Sequence, residues 1–300
     1  MRTSNAAMGV ALLILGFIWG SSFILMKVAL FDTQGQPLFP ALDVAMGRIA
    51  IAGFALLPLA MIHRKHFNRN TFPWLVLVGG IGNLLPAYLF TTAQIHIPSS
   101  VAGMLNALTP MFTFLLGVAL FGTQIRRLQV IGLVVGLVGA AVLAFQPGVG
   151  ASLNSTMTWG AGLVVLATAC YGLSVNLIRN KLGHIPAAAA ASLSLGLMSV
   201  PACAVALTGP GMSLATTHPD GMRGVIAVVV LAVVGTGLAL IAFNRIIQKT
   251  NALFASTVTY IIPLFATMWG WLDDEPLTSL HLVGGAVVLI GVYLVSQGGK

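Results

Sequence analysis

Apolar and polar residues are arranged along this chain in blocks rather than in alternation. Apolar runs of about 20 residues, the length a helix needs to cross a hydrocarbon layer, recur from end to end with short polar connections between them. They predict helical spans over 8–30, 41–62, 73–93, 99–121, 127–146, 158–180, 186–208, 222–243, 251–272 and 278–297. A membrane-spanning strand would alternate in polarity over about 10 residues, and these runs are continuous. No connection is long enough to hold a folded domain. The expected fold class is an all-α polytopic membrane protein of ten transmembrane helices. The first run, Met8 to Leu30, is longer than a signal-peptide core and no small-x-small cleavage site follows it, so it reads as a retained helix.

Composition agrees. The chain is 58% apolar and 7% charged, whereas soluble domains carry about 25% charged residues. Catalysis in water, nucleic-acid binding and disordered scaffolding are excluded as classes. The net charge of +8 is not a nucleic-acid signal, because Lys and Arg stand singly or in pairs between apolar blocks and form no stripe. It is a topological one. With the N-terminus inside, Arg2, Arg64, Lys65, Arg69, Arg126, Arg127, Arg179, Lys181, Arg245, Lys249 and Lys300 fall on the inner side, eleven of the fourteen cations. Asp32, Asp220, Asp273, Asp274 and Glu275 fall on the outer side, with Arg223 at a span edge and Asp43 and Lys27 at span ends. The positive-inside rule then places both termini in the cytoplasm. Cys170 and Cys203 lie in apolar runs without metal-ligand spacing and read as small buried hydrophobes.

The chain also repeats itself at an offset of 152–153 residues. Trp19-Gly20-Ser21-Ser22-Phe23, with Lys27 beyond, aligns with Tyr171-Gly172-Leu173-Ser174-Val175, with Arg179 beyond. Gly82 and Phe90 align with Gly235 and Phe243. Asn106-Ala107-Leu108-Thr109-Pro110 aligns with Thr259-Tyr260-Ile261-Ile262-Pro263, and Gly132 and Gly139 with Gly284 and Gly291. Residues 1–150 and 151–300 are expected to be two copies of a five-helix unit. Five is odd, so the second copy is inverted, an arrangement that supports alternating access in carriers.

The aromatic-Gly-x-Ser start of each half, the mid-helix prolines, the Gly-x6-Gly of each last helix and the Glu275-Pro-Leu-Thr278 segment together resemble the EamA-type branch of the drug/metabolite transporter superfamily. The resemblance covers essentially the whole chain. It implies a ten-helix inverted-repeat carrier, a central cavity lined mainly by helices 3, 4, 8 and 9 with 1 and 6 contributing, and export of amino acids or related metabolites. The first half departs from the pattern with Thr123 opposite Glu275, so an acid is not expected to be essential in both halves.

Polar groups at membrane depth must face a cavity or a partner. The expected substrate-binding residues are Trp19, Ser22, Asn83, Tyr88, Asn106, Thr109, Tyr171, Asn244, Thr259 and Tyr260, forming a neutral polar and aromatic cavity. Helix-to-helix hydrogen bonding is the alternative for each of them. Pro110 and Pro263 cannot donate a backbone N–H, so the carbonyls of Asn106 and Thr259 lose their helical partner. These prolines are the expected hinges. Arg48 lies about two turns into helix 2, and Asp43, five residues earlier, is rotated about 140° from it. Arg48 is expected to snorkel, to pair elsewhere or to cap a substrate carboxylate. Lys27 is expected to snorkel, and Asp273-Asp274-Glu275 to form a solvated outer turn.

No helix carries a mid-span Asp or Glu to relay protons, so transport is expected to run down a substrate gradient. No HExxH, GxSxG, P-loop or kinase signature occurs, and His63-Arg-Lys-His66 lies in a basic inner loop; neither enzyme activity, a cofactor nor a metal is expected. Asn154-Ser155-Thr156 is a formal glycosylation sequon. Gly132-x3-Gly136 allows close helix packing, within the chain or against a second subunit, and leaves monomer and homodimer open. The reading is an inner-membrane exporter of a small metabolite, an amino acid or a related compound, with the lipid bilayer around it. Efflux of amphipathic drugs is the alternative within transport. An integral membrane enzyme acting on lipid, which calls for paired intramembrane His, Asp or Glu, is the alternative of another class.

Overall fold

The computed structural model describes residues 5–124, 126–144, 155–249, 255, 257–275 and 277–297. Arg2, Asn154, Lys300 and the first residues of the span expected at 251–272 lie outside them. Helix α1 (Asn5–Leu30) is followed by α2 (Ala41–Ala55) and, across a break at Leu56 ahead of Pro58, α3 (Leu57–Ile62). Next come α4 (Phe72–Gly79), a π-helical segment (Gly80–Leu84) and α5 (Leu85–Ala93), which form one continuous rod. Helices α6 (Ser99–Asn106) and α7 (Thr109–Phe121) are separated by a two-residue break, and α8 (Arg127–Ala144) follows.

Beyond residue 154 the elements are α9 (Ser155–Lys181), α10 (Ala187–Thr208) and the short α11 (Gly211–Thr217). Then α12 (Gly221–Ala232), a second π-helical segment (Val233–Leu238) and α13 (Ala239–Lys249) form another rod. A 3-10 turn (Thr257–Tyr260) leads to α14 (Ile262–Leu272), and α15 (Ser279–Gln297) is last.

Six stretches of the described residues are long and apolar enough to cross a bilayer: Val10–Leu30, Phe72–Ala93, Ser99–Phe121, Thr156–Lys181, Ala187–Thr208 and Gly221–Lys249. Shorter apolar helices cover Arg127–Leu143, Val258–Leu272 and Ser279–Gly291. The described residues contain no strand, as expected of a chain that must satisfy its backbone hydrogen bonds within each segment in lipid. Large apolar side chains such as Leu13, Ile14, Phe54, Val200 and Leu207 face outward. Trp159, Trp271 and Tyr293 are exposed near helix ends, where amphipathic rings favour the membrane interface. The chain is an all-α polytopic membrane protein.

Helix packing is paired. Helix α2 packs on α10 and α8 on α15; α1 packs on the second rod, chiefly α12, and on α14, while α9 packs on the first rod, chiefly α5, and on α7. The π segments begin at residues 80 and 233, 153 positions apart. The helix breaks ahead of α7 and α14 are separated by the same interval. Left-handed residues, Gly122 (φ 69°) and Asp274 (φ 53°), follow α7 and α14. At the first, Thr123 N–H donates back to the Gly117 carbonyl (3.0 Å), and at the second Glu275 N–H donates to the Gly270 carbonyl (2.9 Å), which closes each helix end.

The α8–α15 contact depends on glycine. A Cβ on Gly291 would lie 2.6 Å from Gly136 Cα and 2.7 Å from the Gly132 carbonyl oxygen, and one on Gly139 2.6 Å from Val288 N. The Gly132-x3-Gly136 pair therefore packs within the chain. Lipid offers no hydrophobic drive between helices, so such close backbone approach supplies the attraction. Gly291→Ala should lower the melting temperature of the detergent-solubilised protein by about 2–10 °C. Gly162→Ala, whose added methyl meets nothing within 4 Å, should leave it unchanged; equal behaviour of the two variants would contradict the packing argument.

Candidate functional site

A cavity of about 100 Å³ lies between the two rods and the two broken helices, bounded by α1, α2 and α9. Measured as space for the centre of a water-sized sphere, that volume holds several waters or a small solute. Its position follows from the interruptions around it. A π segment leaves a carbonyl without its usual backbone donor, and a side chain takes its place in both rods. Asn83 Nδ2 donates to the Val78 carbonyl (3.0 Å), and Thr236 Oγ1 to the Leu231 carbonyl (3.0 Å). Proline does not cause the widening: Pro86 follows the first segment, but Ala239 holds its place after the second. Both segments contain paired glycines, Gly80 and Gly82, then Gly235 and Gly237. Trp19 Nε1 donates to the Gly235 carbonyl (2.9 Å).

The break ahead of α7 is handled in a similar manner. The Asn106 carbonyl accepts from the Thr109 hydroxyl (2.8 Å). The expectation of a free acceptor there is corrected, because a hydroxyl three residues on reaches back to it. Pro110 sits buried in the first turn of α7 and Pro263 in that of α14, where a missing N–H is tolerated. Asn176 on α9 ties the break down through the Thr113 carbonyl (2.8 Å). On α1 and α9, Gly20 and Gly172 allow the backbones of α14 and α7 to approach: added Cβ atoms would lie 3.0 Å from Ile262 O and 2.6 Å from Thr113 N.

Of the expected binding residues, Trp19, Ser22, Asn83, Asn106, Thr109, Tyr171 and Thr259 line this cavity. Tyr88 is 38% exposed on the outer face of α5, Asn244 is fully buried on α13, and Tyr260 adjoins Thr259; none of the three lines the cavity. Apolar side chains, whose polarity gives no sign of a cavity, complete the lining and include Phe23, Met26, Phe90 and Phe243. They form edge or stacked pairs, Trp19 with Phe243 at 4.8 Å and Phe90 with Tyr171 at 5.8 Å. Phe90 and Phe243 occupy equivalent positions in the repeat, 153 residues apart.

Arg48 corrects the expectation of a neutral cavity. The buried face of α2 carries Val44, Ala45, Arg48, Ile49 and Ala52, so the guanidinium points inward. It lines the cavity, is 8% exposed, and donates from Nε to Thr236 Oγ1 (2.6 Å), with Nη1 3.9 Å from Met26 Sδ. It forms no ion pair among the described residues.

On the expected outer side, two further expectations are corrected. Lys27 does not snorkel: its Nζ pairs with Asp273 Oδ2 (2.5 Å) and Glu275 Oε1 (3.1 Å). Glu275 is buried rather than solvated, because the turn after α14 folds it onto the N-terminus of α6. Oε1 accepts from Ser99 N and Oγ (2.9 and 2.8 Å), and Oε2 from Ser100 N and Oγ (3.0 and 2.6 Å). A carboxylate there meets unpaired N–H groups and the positive end of the helix. Burial acts to raise the pKa of Glu275, but the hydrogen bonds from Ser100 and Ser99 and the Lys27 charge outweigh it and hold it below the ordinary value.

The EamA-like transporter family profile matches residues 7–145 and again 158–297. The chain is 27% identical to the "Uncharacterized inner membrane transporter YedA" of Escherichia coli (strain K12), over 96% of this chain and 90% of that one. It is 22% identical to the "Probable terminal-alkyne amino-acid exporter" of Streptantibioticus cattleyicolor, over 99% and 95%. It is also 22% identical to an Escherichia coli (strain K12) "Probable amino-acid metabolite efflux pump", over 95% and 93%. A solved crystal structure, 18% identical, superposes with a TM-score of 0.61 over 95% of this chain and 96% of that chain, and shares its fold.

The Glu275 cluster gives a pH test. Because its folded pKa is depressed, the carboxylate contributes in full above the unfolded value of about 4.3 and loses that contribution as pH falls through the lower folded value. Glu275→Gln should lower the melting temperature at pH 7 by about 3–10 °C and flatten its acid dependence. Intrinsic-fluorescence melts across pH 3–7 check both, and an unchanged acid limb would contradict the assignment.

Proposed function

The chain belongs to the EamA-like transporter family, and on that premise we propose that it is an inner-membrane carrier exporting a small metabolite, an amino acid or a related compound, by alternating access. Residues 1–150 and 151–300 are read as inverted five-helix repeats, ten spans in all, with both termini cytoplasmic. The separate family matches to 7–145 and 158–297 support the duplication. So do the π segments 153 residues apart and the exchange of partners between α1 and α9.

The observation that carries the transport reading is the cavity midway along α1, enclosed where both rods and both broken helices depart from regular geometry. Interrupted helices at mid-membrane depth are where carriers place their sites. The names of the relatives, an amino-acid exporter and an amino-acid metabolite efflux pump, favour the amino-acid class. Trp19, Phe23, Phe90, Tyr171 and Phe243 around the cavity support amphipathic-compound efflux as a second reading. Substrate moves down its own gradient: all six acids lie outside the cavity lining, so no carboxylate there couples flux to protons.

In this reading the breaks at 106–109 and 259–262 are the hinges. Purified protein in liposomes loaded with unlabelled amino acids should take up the labelled compound by counterflow. Pro110→Ala, which restores a helical N–H and straightens the break, should lower the initial rate about tenfold, with melting temperature within a few degrees of wild type. Unchanged counterflow in that variant would remove the hinge assignment, and absence of counterflow for amino acids, related metabolites and amphipathic compounds in the wild type would remove the carrier reading.

A further inference from the structure

We propose that the cavity selects a small carboxylate without an ammonium group, such as a 2-oxo acid, over the zwitterionic amino acid of the same shape. The inference rests on the carrier reading and narrows its substrate class. It follows from the distribution of fixed charge. Arg48 is the one charged side chain lining the cavity among the described residues; its Nη1 lies 3.9 Å from the Met26 thioether and it interacts with the Tyr171 phenol, but no carboxylate pairs with it. A buried guanidinium without a counter-ion is costly, and its planar fork matches a carboxylate.

A carboxylate to receive an ammonium is missing from the lining, which offers only neutral acceptors such as the buried Asn106 Oδ1. The chain has six acids, and the described residues include all of them. Asp273 and Glu275 hold Lys27. Asp43 accepts from Gly211 N (2.7 Å), and Asp220 accepts from Thr33 (2.8 Å). Asp32 accepts from Gln34 N and Gln36 N (2.9 and 2.8 Å), and Asp274 occupies the left-handed turn after α14. Each is committed outside the cavity. A zwitterion brings its own cation to a site that already holds one and has no anion to offset it. A carboxylate with an uncharged remainder neutralises Arg48 and leaves its apolar end to the aromatic side chains. A phosphate dianion would call for a second cation, which the lining lacks.

The test uses the full chain in liposomes and two matched series at pH 7: leucine, its 2-oxo acid and leucinamide; and phenylalanine, its 2-oxo acid and phenylalaninamide. Initial counterflow rates and ligand-induced shifts in melting temperature are measured for each. The 2-oxo acids should exceed the amino acids by about tenfold, and the amides should be inert. Arg48→Lys should keep that order at lower affinity, while Arg48→Gln should abolish it. Wild-type protein that prefers leucine or phenylalanine overturns this inference and leaves the carrier reading standing. Wild-type protein that neither moves nor is stabilised by any of these solutes, nor by any amino acid or amphipathic compound, removes the carrier reading itself. The wild-type order decides the matter even where the Arg48→Gln variant does not fold.

Discussion

In hydrocarbon a backbone carbonyl or N–H without a partner has no water to turn to, and this constraint organises the protein around its cavity. Regular helix satisfies the constraint along most of the chain. Where the helices widen or break, a side chain supplies the missing bond: Asn83 to Val78, Thr236 to Leu231, Thr109 to Asn106 and Trp19 to Gly235. These residues are polar because the backbone is irregular there, and they also line the cavity. One set of side chains thus repairs the fold and coats the space. Thr236 does both in one atom, since its Oγ1 donates to Leu231 and accepts from Arg48.

The turns that follow the two broken helices differ in charge. On the expected outer side, the Lys27–Asp273–Glu275 cluster is clamped onto the start of α6 through Ser99 and Ser100. At the aligned position after α7, Thr123 takes the place of Glu275, and the turn is closed by its backbone bond to Gly117. Two turns of similar backbone geometry thus carry different side-chain chemistry.

Much of this was legible from residue order. Twenty-residue apolar runs locate the helices because lipid leaves few alternatives, and matched Gly, Ser and aromatic positions mark the helices that approach most closely. Seven of the ten expected binding residues line the cavity, because polarity at membrane depth is expensive enough to be informative. Tyr88 misled because a phenol is also stable toward lipid, and Asn244 because burial and cavity access are different things. The placement of Arg48, Lys27 and Glu275 was not legible. Each depends on which face a helix turns inward or on how one loop folds onto a distant helix end, and spacing along the chain carries neither.

The central claim is that two related halves alternately expose one cavity. The most direct measurement places a single cysteine at Ser174, a cavity-lining position, after replacement of Cys170 and Cys203. Its labelling by a membrane-impermeant thiol reagent is then followed from each face of oriented vesicles, with and without transported solute. Alternating access predicts that saturating solute raises labelling from one face and lowers it from the other. Rates that rise together at both faces would reveal a continuous pore and contradict the account.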